Sequence, residues 1–180
     1  MSAAQVLPKS STRSEHGPPV GFSLVQPAPG HAAEIRDLIK ACKPLDVNST
    51  YAYLLLCHHF AETCVIALEG ERIVGFISAY IPPSATDTLF VWQVAVHETA
   101  RGQKLGGAML THLLARSVSR NVRYLETTVS PSNIPSSRLF ERFARNLGAD
   151  CVKTPLFERE DFGAEAHEEE VLYRIGPFEA

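Results

Sequence analysis

Nine residues, Thr88–Val96 (TLFVWQVAV), set the tightest limit on what this chain can fold into. They favour β structure and are nearly all apolar. They lack the polar alternation of a strand with one wet face. The segment therefore reads as a central strand covered on both sides. A few residues later comes a glycine-rich turn, Arg101-Gly102-Gln103-Lys104-Leu105-Gly106-Gly107. That turn opens an amphipathic stretch from Leu105 to Val118. Its Leu105, Met109, Leu110, Leu113, Leu114 and Val118 form one broad stripe. A doubly covered strand feeding an amphipathic helix requires helices packed against a sheet.

The remaining segments fit that frame. Phe22 to Val25 reads as a first strand. Pro29 and Gly30 open a helix with Ala32, Ile35, Leu38, Ile39 and Cys42 inward, and Pro44 ends it. Asn48 or Ser49 can cap a second helix, Thr50 to Phe60. Thr63 to Leu68 and Arg72 to Ile81 flank Glu69-Gly70 as hairpin strands. Tyr124 to Val129 is a strand. Pro135 to Leu147 is a helix closed by Gly148. Ala149 to Lys153 and Glu170 to Ile175 are closing strands. The order β-α-α-β-β-β-α-β-α-β-β predicts one α/β domain over residues 21–180, preceded by a disordered Ser/Pro/Ala-rich leader over residues 1–20.

Composition removes several function classes. The 180 residues carry 17 Lys and Arg against 20 Asp and Glu, a net charge of −3, with the basic residues spread along the chain. Nucleic-acid binders gather such residues on one face. No apolar run approaches the roughly 18 residues of a membrane span, and the N-terminus lacks a secretory apolar stretch. Cytoplasmic placement follows. Cys42, Cys57, Cys64 and Cys151 form no C-x-x-C pair, so no metal site is expected and the thiols read as buried hydrophobes.

The chemistry concentrates at the glycine-rich turn. A helix N-terminus leaves backbone N–H groups unpaired and carries partial positive charge, and glycines admit a phosphate close to that backbone. The turn is thus a candidate pyrophosphate cradle. It matches neither the P-loop nor the dinucleotide-binding glycine pattern. A tight strand–helix connection with glycines placed for packing is the alternative reading.

In these residues the chain resembles the GNAT N-acetyltransferase superfamily, whose [QR]-x-x-G-x-[GA] pattern is filled by Arg101-Gly102-Gln103-Lys104-Leu105-Gly106 with Lys104 in place of the first glycine. Asn133, Ser136, Leu139 and Phe140 resemble its N-x-x-[AS]-x-x-L-[YF] pattern. The resemblance implies a GNAT fold: a mixed, mostly antiparallel sheet of six to seven strands with helices on both faces. It also implies acetyl-CoA as cosubstrate. Amides of Arg101, Gly102, Gln103, Lys104, Leu105, Gly106 and Gly107 would hold its pyrophosphate, and Val94, Ala95, Val96 and Asn133 its pantetheine arm. Many relatives place a proton-donating Tyr where this chain has Phe140.

Three further stretches resemble the diaminobutyrate acetyltransferase family within that superfamily. They are Cys42–Leu55, Phe90–Val96 and His167–Pro177, and the likeness extends from Phe22 to Phe178. It implies acetyl transfer to the 4-amino group of L-2,4-diaminobutyrate, in ectoine synthesis, by a homodimer. Asp46, Tyr51, Trp92, His167 and Glu170 are the implied substrate residues. Glu170 or Glu126 would take the amine proton, and the Val94 amide would stabilise the oxyanion. On their own these residues have plainer readings: Asp46 a cap, Tyr51 an aromatic at the core edge, Trp92 core, the His167–Glu170 run a solvated face, and Glu126 a rim residue. The rivals are a transferase for another small amine (polyamine or aminoglycoside), a protein N-terminal acetyltransferase, and a non-catalytic acyl-CoA-binding module.

Overall fold

The computed structural model describes residues 17–164 and 166–178. Residues 1–16 of the expected leader lie outside the described residues, and residues 17–20 carry no helix or strand. Seven strands form one sheet in the order β1-β2-β3-β4-β5-β7-β6. They are β1 (Phe22–Val25), β2 (Val65–Glu69), β3 (Arg72–Tyr80), β4 (Thr88–Val96), β5 (Tyr124–Val129), β6 (Cys151–Phe157) and β7 (Glu170–Ile175). Only β4 and β5 run parallel, and every other neighbouring pair is antiparallel. The chain therefore has the expected mixed, mostly antiparallel GNAT sheet.

Four helices cover both faces. α1 (Ala32–Ala41) and α2 (Thr50–His59) bury Ile35, Leu38, Ile39, Tyr53 and Leu56 against Ile66, Ile73 and Phe76. On the other face α3 (Leu105–Leu114) and α4 (Ile134–Leu147) bury Met109, Leu110, Phe140 and Phe143 against Val65, Val74, Leu89 and Leu125. Ser49, not Asn48, caps α2: its Oγ accepts from Ala52 N at 3.2 Å. Among the described residues no helix is long and apolar enough to cross a membrane.

One irregularity organises the centre. Ser78 pairs with Gln93 and Ala79 with Val91, so Trp92 is an extra residue in β4 and bulges out. The insertion reverses the side-chain parity of the strand. Leu89 and Val91 pack with α3 and α4, as do Val94 and Val96 beyond the bulge, whereas Ala95 packs with α1 and α2. Pairing of β4 with β5 stops at the same place, at Val91 with Thr127, and β4 runs on to Val96 without it. A wedge-shaped gap opens between the two parallel strands.

Two boundaries differ from the sequence expectation by four residues, more than the one- or two-residue shifts seen at the other strands and at the start of α4. α3 stops at Leu114 instead of Val118, because Ser119 Oγ donates to Leu113 O at 2.9 Å and Arg116 turns away to donate to the carbonyls of Ala61, Glu62 and Cys64. β6 runs on to Phe157. As an edge strand exposed along nearly its whole length, it shows no apolar alternation to mark its end, and at the edge it tolerates Pro155. Gly176, just past β7, has φ +134°, and a Cβ there would meet Arg123 O at 2.5 Å. Gly176→Ala is expected to lower the free energy of unfolding by about 2–4 kcal/mol, read by denaturant titration.

Candidate active site

The wedge between β4 and β5 exposes strand backbone. Beyond the bulge, Gln93 N donates to Ser78 Oγ at 3.1 Å and His97 N to Val74 O at 2.8 Å, both toward β3. By strand alternation the N–H and C=O of Val94 and the N–H of Val96 turn the other way, into the gap, while Val96 O accepts from Arg101 Nε and Cys42 Sγ. These are the groups an extended amide-bearing ligand needs.

At the open end of β4 the chain turns into α3. Gly102 has φ +77°, and Lys104, at the α3 N-cap, has φ +61° and ψ 15°. A left-handed lysine costs roughly 1–2 kcal/mol, the consequence of placing lysine where the superfamily pattern has glycine. Its N–H still joins the row. Among the described residues, the backbone N–H groups from Gly102 to Gly107 have no protein acceptor, and the first intrahelical donor is Ala108, to Lys104 O at 3.1 Å. Unpaired donors at a helix N-terminus fit a diphosphate. Arg101 folds back to donate from Nε to Val96 O at 3.1 Å, and Gln103 Nε2 donates to Thr99 O at 3.3 Å. A cavity of about 320 Å³ lies beside this loop, between α3 and α4, lined by Gln103, Lys104, Gly107, Thr111, Leu139 and Arg142 among others. Asn133 caps α4 through Oδ1, which accepts from Ser136 N at 3.2 Å. Phe140, buried one turn further on, brings no hydroxyl. Ser137 lies one turn before it and shares a 2.9 Å hydrogen bond with Tyr173 OH.

A polar cluster joins three distant parts of the chain. His167 Nε2 stands 3.7 Å from Asp46 Oδ2 and 4.0 Å from Glu170 Oε1. Glu170 also accepts from Ser130 Oγ at 2.8 Å, which ties the start of β7 to the end of β5. The His167 ring is held from both sides: Nδ1 donates to Glu168 O at 2.6 Å, and the Phe162 ring stacks on it at 4.0 Å and 15°. Glu168 is in turn tied to Ser132 N at 3.1 Å. Hydrogen bonding to the Glu168 carbonyl, then the charges of Glu170 and Asp46, raise the His167 pKa above its ordinary 6.5. The His167 ring thus sits between two carboxylates.

The other expected site residues are more dispersed. Trp92 projects from the bulge with 44% of its surface exposed. Tyr51 is 68% exposed on the first turn of α2. Glu126 lies where β4 and β5 are still paired, opposite Phe90, and its carboxylate is ion-paired with Arg174, which also covers the Tyr124 ring. Sequence reasoning passed over Tyr53, Gln93, Ser130 and Phe162, all in or under the cluster. Their polar or aromatic character is ordinary in sequence, and only the tertiary fold brings α2, β4, the end of β5 and the Arg159–Phe162 turn together. Among the described residues no three His, Cys, Asp or Glu side chains gather as a metal site.

A sheet parted beside a central bulge, with a row of free amides at the next helix, defines an acyl-CoA-dependent N-acyltransferase. The chain belongs to the acetyltransferase (GNAT) family, which it matches over residues 32–144. Its relatives narrow this further. It is 52% identical over 158 residues to the L-2,4-diaminobutyric acid acetyltransferase of Bordetella parapertussis, covering 87% of this chain and 85% of that one. It is 43% identical to the corresponding enzyme of Marinococcus halophilus, covering 85% and 88%. The structure of the diaminobutyrate acetyltransferase of Paenibacillus lautus, in complex with its substrate L-2,4-diaminobutyric acid and coenzyme A, superposes with a TM-score of 0.85 at 41% identity, covering 88% of this chain and 96% of that one.

The cluster yields a measurable consequence. A group whose pKa is raised in the folded state adds stability that is complete below its unfolded pKa and is lost as pH rises through the folded value. For His167 that window begins near 6.5 and extends upward. In an NMR titration the His167 ring should therefore reach its midpoint above 6.5. Asp46→Asn and Glu170→Gln should each lower that midpoint.

Proposed function

We propose that this protein transfers the acetyl group of acetyl-CoA to the 4-amino group of L-2,4-diaminobutyrate, giving N4-acetyl-L-2,4-diaminobutyrate and coenzyme A. The single observation that carries the reading is the Asp46–His167–Glu170 cluster joined to an amide-lined gap, in a chain whose relatives at 40–52% identity are named for this reaction. The substrate brings two ammonium groups and one carboxylate at neutral pH. A pocket for it needs carboxylates for the cations and a donor for the anion. Asp46 and Glu170 supply the first, and the His167 ring, whose protonated form they favour, the second.

Acetyl-CoA supplies the activated thioester. Residues Gly102 to Gly107 hold its pyrophosphate through backbone N–H groups, without the Arg101 amide expected from sequence, which donates to Glu98 O at 3.2 Å, and Val94 to Val96 hydrogen-bond the pantetheine arm, with Asn133 across the gap. The amine must lose a proton before or during attack. Glu170 accepts it, directly or through water, because its side chain faces the cluster. Glu126, the rival base, is engaged by Arg174. The Val94 amide, aimed into the gap, stabilises the negative charge that develops on the carbonyl oxygen. Tyr51 and Trp92 form the rim of the diaminobutyrate pocket. The amine attacks the thioester directly, the C–S bond breaks and coenzyme A leaves as a thiolate that takes its proton from solvent, so no covalent enzyme intermediate forms.

The domain is residues 21–180. It works as a homodimer, a reading supported by the exposed Val152, Leu156 and Phe157 along the edge strand β6. Its setting is the cytoplasm, where its four free thiols stay reduced, and its product serves the synthesis of ectoine, an osmoprotectant. The dispersed charge supports a small-molecule partner rather than nucleic acid or a membrane.

Thiol release from acetyl-CoA should favour diaminobutyrate over ornithine and over diaminopropionate by about 10–200-fold in kcat/KM, the worth of one methylene in a shaped pocket. Mass spectrometry should place the acetyl group on N4. A flat panel, or a preference for polyamines or aminoglycosides, overturns the substrate assignment. Thermal stabilisation by coenzyme A without turnover of any amine would indicate a binding module instead. Glu170→Ala should reduce kcat with diaminobutyrate by about 100-fold or more while acetyl-CoA still binds, and lost coenzyme binding contradicts its role as base.

A further inference from the structure

We infer that Gln93 is a positioning residue that sets Asp46 in the diamine pocket from the coenzyme strand, a role that rests on the function proposed above. Asp46 has little of its own to hold it. Its side chain is 84% exposed, and among the described residues its one ion-pair partner, His167, stands 3.7 Å away. Its backbone, by contrast, is fixed from below. Gln93 Nε2 donates to Asp46 O at 2.8 Å. Gln93 Oε1 accepts from Tyr53 OH at 3.4 Å, and Tyr53 OH accepts from Asn48 N at 3.2 Å. The loop between α1 and α2 is thereby pinned at two points two residues apart, both through the same amide side chain. Gln93 and Tyr53 are buried, as is Ser78, which receives Gln93 N.

The orientation of the amide follows from the chemistry of its neighbours. A carbonyl oxygen cannot donate, so the Gln93 NH2 must face Asp46 O, and its oxygen is left for the phenol. A reversed amide would set two oxygens against each other. Gln93 lies between the bulged Trp92 and Val94, whose amide enters the gap. The strand that presents the coenzyme backbone thus also sets the height of the Asp46 loop. The bulge is needed for this, since it turns residue 93 toward α1 and α2 instead of toward α3 and α4. Glutamine suits the position because it donates and accepts in one plane without charge. Glutamate would accept from Tyr53 but, when ionised, would repel Asp46 O.

The test is steady-state kinetics on the full chain with acetyl-CoA and diaminobutyrate. Gln93→Met, close in volume and without polar atoms, should raise KM for diaminobutyrate about tenfold, the worth of one hydrogen bond of this kind, while KM for acetyl-CoA changes less than about twofold. Gln93→Glu keeps size and acceptor, so its activity relative to wild type should recover as pH falls and the introduced carboxyl regains a proton to donate. In an Asp46→Asn background, Gln93→Met should add no further rise in KM. Equal rises in both KM values, or effects that simply multiply in the double variant, overturn the inference. A measurement independent of turnover separates this from failure of the substrate assignment. Hydrogen exchange at the Asn48 amide should quicken in Gln93→Met, and unchanged exchange overturns the inference even if diaminobutyrate is the substrate. If wild type ignores diaminobutyrate but exchange still quickens, the substrate assignment fails and the anchoring role stands.

Discussion

The extra residue at Trp92 is the constraint from which the rest of the site follows. A parallel neighbour can stay hydrogen-bonded only while the two strands keep one register and one twist. Inserting a residue into β4 swings its second half away from β5, after Val91 and Thr127. Backbone groups that a regular sheet would consume are left over, and leaving them unpaired in a dry interior would cost about 1–3 kcal/mol each. They are tolerable because the gap opens at the surface and is shaped for a ligand with amides of its own. The same insertion turns Gln93 to the opposite face from Leu89 and Val91, so one local irregularity serves both the coenzyme side and the amine side.

Electrostatics in the site work by contrast. The loop before α3 offers neutral N–H groups and a helix dipole, which suit a diphosphate without demanding a buried cation. Across the gap, two carboxylates face each other through a histidine whose pKa they help to raise. The Asp46–His167 pair at 3.7 Å, open to solvent on the Asp46 side, contributes about 0–1 kcal/mol, too little to build the cluster. The cluster is assembled by hydrogen bonds and ring stacking instead: the Ser130 hydroxyl on Glu170, the Glu168 carbonyl and Phe162 ring on His167, and the pinned backbone under Asp46. Carboxylates brought together by such means are available to a dication, because the ionisable partner they share is a single titratable ring.

Apolar patterning, periodic in α1, α3 and α4 and continuous in β4, located these elements, because such a pattern survives in any single segment. Boundaries were legible only where a local signal closed the element, as at Ser49 and Gly148. They were lost where closure came from afar, as with Arg116 reaching the carbonyls near Cys64, or where an exposed edge removed the alternation, as in β6. The glycine-rich turn could be read because phosphate binding at a helix start is a local property of a few consecutive amides.

The residues that make the pocket are of a different kind. Asp46, His167 and Glu170 stood in the sequence as a loop carboxylate and part of a charged run, and only likeness to a family joined them. Gln93, Tyr53 and Ser130 carried no mark at all. By itself the sequence determined the layers, the central strand and the helix start that fits a diphosphate, since those depend on patterns within a dozen residues. The tertiary structure decided that β4 bulges at Trp92, that the sheet parts there, and that residues more than a hundred positions apart meet across the gap. Those outcomes depend on strand register and on which face a side chain takes, and both are set only when the strands pair.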